Sequence, residues 1–189
     1  MDFLRNIRLK RGRNILRRKM KRAKRTKFRG NLKTARTMGM VWDASDVSNF
    51  HILSQFQQKM QEKNINLTII AFYPGKILPD NLTAIRYLIC LKNNDLNFFY
   101  IPVSKEAEKF IKTPYDILID INFNKIFPLE YIVMLSEAGL KVGLYDETKS
   151  DPPYDLMIDA VKPLNIKDYL ENLIQYLEMI NTQTESVNQ

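Results

Sequence analysis

The sequence predicts an α/β fold, in which a mostly parallel β-sheet lies between two layers of helices. From Thr37 onward, short apolar runs alternate with amphipathic segments whose apolar residues recur every three or four positions. Some of these runs are almost wholly apolar, which is typical of strands that are buried on both faces. Hydrophobic residues make up 45% of the 189-residue chain, which is enough for one core of ordinary size.

The first two predicted strands are joined by a helix. Residues 38–42 form the first strand, and a helix is expected to begin at about Ser45 or Asp46. The apolar face of that helix comprises Val47, Phe50, Leu53, Phe56 and Met60. Residues 67–73 are almost wholly apolar and end at Pro74-Gly75, so they are predicted to form the second strand.

Two further strands are predicted at residues 85–91 and 98–103. A short polar turn separates them, so we expect these two strands to pair as a hairpin. A helix is predicted next, at residues 104–112, because it starts with a serine that can serve as its N-cap. Glu108 and Lys112 are expected to stabilise this helix as an ion pair one turn apart.

Three strands and two helices complete the predicted domain. Pro128 suits the first turn of one helix and Gly139 its C-terminal cap, while Asn165 is expected to cap the last helix. The strands are predicted at residues 115–121, 140–145 and 154–160. Together these elements predict a single three-layer, doubly wound domain of the Rossmann-like or flavodoxin-like type, with a basic helical N-terminal arm.

Four segments of the chain resemble those of an uncharacterised protein family from bacteria of the Bacteroidota group. They are YDILID at residues 115–120, PLEYI at 128–132, KVG at 141–143 and YDLMID at 154–159. The resemblance covers most of the chain after the N-terminal arm. Because its motifs consist mostly of packing residues of strands and helices, the resemblance implies a fold and no catalytic residues.

Charge divides the chain into two parts at Arg36. Residues 1–36 contain sixteen Lys and Arg but only one acidic residue, which gives this segment a net charge of +15. The following 153 residues contain 13 basic and 20 acidic residues, so their net charge is −7. We therefore predict a basic arm at residues 1–36, an α/β domain at 37–181 and a disordered tail at 182–189.

The arm is predicted to bind a polyanion. Its positive charges repel one another, and a phosphate backbone relieves that repulsion. Ten of its sixteen basic residues are Arg, which favours forked phosphate contacts and stacking on the exposed bases of structured RNA. We expect RNA as the partner and ribosomal RNA as the target, with a role in ribosome assembly, hibernation or recruitment.

The residues expected to contact RNA are basic residues of the arm. They are Arg5, Arg8, Lys10, Arg11, Arg13, Arg17, Arg18, Lys19, Lys21, Arg22, Lys24, Arg25, Lys27 and Arg29. Good helix formers dominate residues 5–27, so the arm is expected to be helical when its charge is neutralised, with break points at Gly12 and Gly30. The apolar stripe that includes Leu16 and Met20 is too thin to anchor a core helix, so the unbound arm is expected to be mobile.

Two other interpretations of the arm stay open. In one, the arm stays solvated or packs on the acidic face of its own domain. In the other, an apolar face of the arm lies on an anionic membrane surface, with the basic residues among the lipid head groups. That face comprises Phe3, Leu4, Ile7, Ile15, Leu16 and Met20. The acidic domain itself offers a surface for a protein partner.

Acidic residues stand at several predicted strand ends, where parallel sheets bind their ligands. They are Asp43, Asp120, Asp146 and Asp159. Asp43 and Asp120 are therefore candidate catalytic residues of a small metal-dependent hydrolase or transferase acting on RNA or nucleotides. The alternative is that these acids form turns and helix caps, as Asp commonly does after strands. We expect no cofactor and no resident metal, because the chain has no glycine-rich phosphate loop and His51 has no neighbouring ligand.

The single cysteine, Cys90, excludes an internal disulfide and fits a reducing compartment. No apolar run has the length of a secretory signal core or of a membrane-spanning helix. We therefore predict that the protein is cytoplasmic.

Overall fold

The computed structural model describes residues 2–147, 153–159 and 165–180, which contain a six-stranded, wholly parallel sheet. Its strands are β1 (Thr37–Asp43), β2 (Asn66–Phe72), β3 (Leu88–Leu91), β4 (Ile117–Ile121), β5 (Leu140–Leu144) and β6 (Leu156–Ile158). Their order is β3-β2-β1-β4-β5-β6, so the chain starts at the centre and winds to each edge in turn. This Rossmann-like order confirms the predicted α/β fold class. The predicted tail at 182–189 lies outside the described residues.

The described helices form layers on both faces of the sheet. They are α1 (Asp2–Met20), α2 (Phe50–Glu62), α3 (Lys105–Lys112), α4 (Phe127–Leu135) and α5 (Ile166–Met179). α2 and α5 cover one face of the sheet, whereas α3 and α4 cover the other. α1 packs outside α4, on the side away from the sheet.

Side chains of the central strands point alternately to the two faces of the sheet, so each strand contributes to both layers of the core. In β1, Met40 and Trp42 pack against α2 and α5, while Val41 between them packs against α3 and α4. All five residues of β4 are buried, as expected for a central strand of a parallel sheet. The predicted strand positions at the centre of the sheet are therefore confirmed.

Side-chain caps begin two helices where the sequence predicts them. The Ser104 hydroxyl accepts a hydrogen bond from the backbone N–H of Ala107 at the start of α3, at 3.2 Å. The Asn165 side chain accepts one from the N–H of Lys167 at the start of α5, at 2.8 Å. Each cap satisfies a donor that the first turn of a helix leaves unpaired. The predicted ion pair one turn apart in α3 is also present, at 2.7 Å.

The predicted hairpin at residues 85–91 and 98–103 is wrong. Its first half contains β3, which pairs in parallel with β2 instead. Its second half forms a tight loop in which the Asn97 side chain accepts hydrogen bonds from the N–H groups of Phe99 and Ile101, at 2.9 and 3.1 Å. A single antiparallel bridge, between Leu96 and Pro102, closes this loop. Phe99 and Ile101 of this loop face α1 and α4 rather than a sheet.

Gly139 does not cap α4, which ends four residues earlier and has Ser136 as its C-cap. The glycine instead lets another segment of the chain pass closely, because a Cβ at this position would lie 2.5 Å from Phe28 Cβ. The N–H of Phe28 donates to the Gly139 carbonyl at 3.1 Å, which fixes the crossing.

α1 is docked on the domain, so the expectation of a mobile arm with too thin an apolar stripe is wrong. Leu16 is only 4% exposed and packs with Phe127 and Tyr131 of α4 and with Ile101. The helix also runs unbroken through Gly12, which is not a break point. A Cβ there would lie 2.5 Å from the Phe99 carbonyl oxygen, so the glycine allows the helix to approach closely.

Residues 21–36 connect α1 to the centre of the sheet as an extended segment bound to the domain. The N–H of Leu32 donates to the Leu177 carbonyl of α5 at 3.2 Å, and the N–H of Arg36 donates to the Asp116 carboxylate at 2.7 Å. Leu32 and Ala35 are buried in the core cluster shared with α2 and α5. The apolar core therefore extends into the last part of the basic segment.

Candidate nucleic-acid interface

The solvent face of α1 and the turn after it is strongly cationic. Helical spacing of three or four residues places Lys10, Arg13 and Arg17 along one line of this face. Apart from Lys19, the exposed cations of the helix and of the turn after it are Arg5, Lys10, Arg11, Arg13, Arg17, Arg18, Lys21, Arg22 and Lys24. Within the described part of the chain, no ion pair joins any of them to an acidic residue. We call this set the cationic face.

Several neighbours on the cationic face carry like charges one helical turn apart. Arg13 and Arg17 are four residues apart, and Lys10 and Arg13 are three residues apart. Such pairs repel each other and destabilise a helix, and a bound polyanion would remove that repulsion. The end of the helix partly compensates, because Arg17, Arg18 and Lys19 lie in its last turn, where the helix dipole favours positive charge.

Two other cations of α1 hold the helix against its own domain. The Arg8 Nε donates to the Phe98 carbonyl at 2.6 Å, and its guanidinium lies 4.3 Å from the ring centroids of both Phe98 and Tyr100. The Lys19 ammonium lies 5.6 Å from the ring centroid of Tyr131. These cation–π contacts add to the apolar anchor at Leu16. Arg8 therefore has a structural role that its charge alone did not indicate.

Asp155 binds two cations of the segment after α1. The Arg25 guanidinium donates to both carboxylate oxygens, at 2.6 and 2.7 Å, and also to the carbonyls of Ala138 and Gly139. The Lys27 ammonium forms an ion pair with the same carboxylate. Burial alone would raise the pKa of Asp155, but the hydrogen bonds from Arg25 and Lys27 outweigh burial and hold that pKa well below its ordinary value. Arg29 is exposed on the same segment.

Lys141 is a buried cation that sequence reasoning did not single out. It is 3% exposed, and its ammonium donates to the carbonyls of Val133 and Met134 at 2.7 and 3.3 Å. These carbonyls lie in the last turn of α4, where the helix leaves them without internal partners. Burial lowers the pKa of Lys141 to about 8. A lysine within a predicted apolar strand was the one available signal for this role.

The candidate catalytic acids lie at the carboxyl ends of the adjacent strands β1 and β4, but each is engaged by the chain itself. Asp43 accepts hydrogen bonds from the N–H and hydroxyl of Ser45 and, at 2.6 Å, from the amide of Asn124. Asp120 accepts from the N–H of Asn122 at 2.8 Å and from the Tyr154 hydroxyl at 2.6 Å. In the contacts with Ser45 and Asn122, the carboxylate accepts a hydrogen bond from the residue two positions further along the chain, which is how Asp commonly forms a turn.

The other two acids at this edge do not extend the pair into a metal site. Asp146 forms an ion pair with Lys125 at 2.5 Å, and Asp159 is exposed. Among residues 2–147, 153–159 and 165–180, no three His, Cys, Asp or Glu side chains are grouped so that they could hold a metal ion. Burial and the charge of Asp120 raise the pKa of Tyr154, so this tyrosine stays protonated and donates to Asp120.

The remaining reactive side chains have structural environments. His51 is exposed on α2, and its Nδ1 lies 2.8 Å from the Ser48 carbonyl. Cys90 is half-buried in β3, and burial raises the pKa of its thiol to about 11. A thiol with so high a pKa is a poor nucleophile at neutral pH.

A model of a family of unknown function, DUF6913, matches residues 8–180. The chain belongs to this family. This match confirms the expectation of an uncharacterised family, and because it starts within α1 it covers most of the cationic helix as well as the sheet. No curated protein matches the sequence. None of the described helices has the length and apolar character to cross a lipid bilayer.

Proposed function

We propose that this member of DUF6913 binds RNA through the cationic face, and that ribosomal RNA is its target. The observation that carries the proposal is the division of α1 into two sides. Leu16 and Gly12 are turned to the domain, whereas at least nine Lys and Arg of the helix and its turn remain exposed. A fixed row of cations at helical spacing suits the phosphate backbone of a nucleic acid.

Arginine content favours RNA over a simple anionic surface. Six of the nine cations of this face are Arg, whose guanidinium groups can donate forked hydrogen bonds. They are Arg5, Arg11, Arg13, Arg17, Arg18 and Arg22. The membrane interpretation loses part of its apolar face, because Leu16 is buried and Ile15 is half-buried against the domain. The rest of the chain is acidic, so phosphates would repel it and stay on the helix side.

A charge-neutralising variant tests this proposal. Arg13→Gln, Arg17→Gln and Lys21→Gln together should weaken RNA binding and reduce the slope of log affinity against log salt by about 2 for a single strand. The matched control removes three exposed cations elsewhere, Lys59→Gln, Lys76→Gln and Arg86→Gln. Equal losses of RNA affinity in both triple variants would show that only the net charge of the protein matters. That result would overturn the assignment of RNA binding to the cationic face.

Sedimentation of cell lysate tests the ribosomal target. We expect the protein to co-migrate with a ribosomal subunit and to leave it at high salt, because phosphate contacts weaken as salt rises. A position only at the top of the gradient would contradict the target while leaving RNA binding open to the assay above. The candidate roles are ribosome assembly, hibernation and recruitment. The proposed location is the cytoplasm, and the expected source of the family is bacteria of the Bacteroidota group.

A further inference from the structure

An exposed aromatic ring lies beside the N-terminal half of α1. Phe98 is 66% exposed, although it belongs to the loop whose other apolar residues, Phe99 and Ile101, pack toward α1 and α4. Exposing most of a phenyl ring forgoes the stabilisation that burial would supply. A ring held at the surface next to a cationic helix therefore suggests a ligand that stacks on it.

The loop holds this ring in a fixed position. The Asn97 side chain accepts two hydrogen bonds from the loop backbone, and its own N–H donates to the Ile101 carbonyl at 2.9 Å. Tyr100 closes the loop with a φ of 60°, in the left-handed region that non-glycine residues rarely adopt. The Phe99 ring meets Phe98 edge to face, with centroids 5.4 Å apart. A ligand would thus meet a ring that needs little further ordering on binding.

Cations surround the ring on the helix side. The Arg8 guanidinium covers one part of the ring, 4.3 Å from its centroid, and is itself fixed by the Phe98 carbonyl. Arg5 and Arg11 are exposed and lie three residues before and after Arg8, so they occupy the neighbouring turns of the same side of α1. Cations that can bind phosphate therefore lie on the turns of α1 before and after the residue that contacts the ring.

We infer that Phe98 stacks on an unpaired base, so that the RNA bound by this protein is single-stranded or contains splayed bases at this point. The inference rests on the proposed RNA binding and names its substrate class. Bases inside a regular duplex are stacked on one another and cannot reach a protein ring, whereas unpaired bases stack readily on aromatic side chains. Arg5 and Arg11 contact the flanking phosphates.

The test distinguishes binding through the bases of the RNA from binding through its phosphates. Wild-type protein is titrated with a mixed-sequence 12-nucleotide single-stranded RNA and with an abasic oligomer of the same ribose-phosphate backbone. Phe98→Ala should weaken binding of the RNA by roughly 5- to 100-fold. It should leave binding of the abasic oligomer unchanged, because Arg8 keeps its hydrogen bond to the backbone carbonyl of residue 98 and its contact with the Tyr100 ring, so that α1 stays docked. The Phe98→Tyr variant should bind the RNA with wild-type affinity, because a phenol ring stacks on a base as a phenyl ring does.

Val103→Ala is the matched control, since Val103 is an exposed apolar residue near the same loop but has no ring. Unchanged RNA affinity in Phe98→Ala, or an equal loss on both oligomers, would overturn the stacking role. Loss of binding to anionic lipid vesicles without loss of RNA binding would overturn it in favour of a membrane contact. If wild-type protein bound neither oligomer at low salt, the proposed RNA binding itself would fail instead.

Discussion

Lys141 stabilises the C-terminal end of α4 from inside the protein. Its ammonium satisfies two carbonyls of the last helical turn that have no partner within the helix. Among the described residues, no carboxylate accepts a hydrogen bond from this ammonium, so the ammonium relies on carbonyl dipoles and on the nearby Asp155 charge. A cation in such surroundings loses hydration, which lowers its pKa to about 8.

Lys141→Met should therefore change how stability depends on pH. The folded protein holds the Lys141 proton less tightly than the unfolded chain, whose lysine pKa is 10.5. Wild-type stability thus gains as pH rises from about 8, by at most about 1.4 kcal/mol per pH unit. We expect the free energy of unfolding of wild type minus that of the variant to increase between pH 8 and 9.5 in denaturant titrations. A constant difference across that range would contradict the lowered pKa.

Asp43 and Asp120 show which part of the candidate site the sequence determines. Apolar runs that stop at an acid placed both residues correctly at or near strand ends, because a strand covered by helices on both faces is apolar over most of its length. Their partners Asn124 and Tyr154 lie 81 and 34 residues away along the chain. Such pairings depend on how loops pack over the sheet edge, and no local pattern in the sequence encodes that packing.

At the scale of elements, α1 shows why the docking of a helix is hard to predict from the helix alone. Its own apolar residues are few, and Leu16 alone among them is fully buried. The surface that receives it is assembled from the loop at Ile101 and from Phe127 and Tyr131, more than eighty residues away. The segments of the sheet, by contrast, contain their own signal, because most residues of each strand are apolar.

Gly12→Ala tests the close contact between α1 and the domain. In an isolated helix this change is stabilising by about 1 kcal/mol, because alanine restricts the unfolded chain and favours helix. Here the new methyl group would lie 2.5 Å from the Phe99 carbonyl oxygen, a backbone atom that cannot move away cheaply. We expect a net loss of about 1–3 kcal/mol in the free energy of unfolding, measured by denaturant titration.

The control for this variant is Asn14→Ala, at an exposed position of the same helix. It should be neutral or slightly stabilising, since only helix propensity changes. If Gly12→Ala were stabilising to the same degree as Asn14→Ala, the close packing of α1 on the loop would be refuted.

The extended segment after α1 depends on Asp155. Asp155→Asn removes the charge that binds Arg25 and Lys27, and we expect a loss of about 1–2 kcal/mol in the free energy of unfolding. Because the folded-state pKa of Asp155 is lowered, its contribution is complete above the ordinary carboxyl pKa of 3.8 and is lost as pH falls below it. The wild-type advantage should therefore be constant from pH 5 to 7 and shrink below pH 4.

Hydrogen–deuterium exchange locates this effect on the segment. The amide of Phe28, which donates to Gly139 beside the Arg25 contact, should exchange faster in Asp155→Asn at pH 7. The amides of β4 should exchange as in wild type. Uniformly faster exchange across both regions would mean global destabilisation, and the segment would then have no separate dependence on Asp155.

At the scale of the whole molecule, docking of α1 holds the positive charges of the N-terminal segment on one exposed surface. The segment of net charge +15 is attached to a domain of net charge −7, yet it does not collapse onto the acidic residues through most of its length. Apolar contacts and three cation–π contacts orient the helix, and Asp155 binds the segment that follows. The exposed cations thus point away from the domain in a fixed arrangement.

A docked α1 and a flexible tether lead to opposite expectations for how Gly12→Ala changes RNA affinity. A docked helix presents its cations already ordered, whereas a released helix must be ordered during binding, which costs free energy. We therefore expect several-fold weaker RNA binding by Gly12→Ala than by wild type, with Asn14→Ala equal to wild type, in fluorescence anisotropy at two salt concentrations. A flexible tether would bind at least as tightly after release, because its cations would move away from the acidic domain. Equal or tighter binding by Gly12→Ala would therefore show that docking does not contribute to RNA recognition.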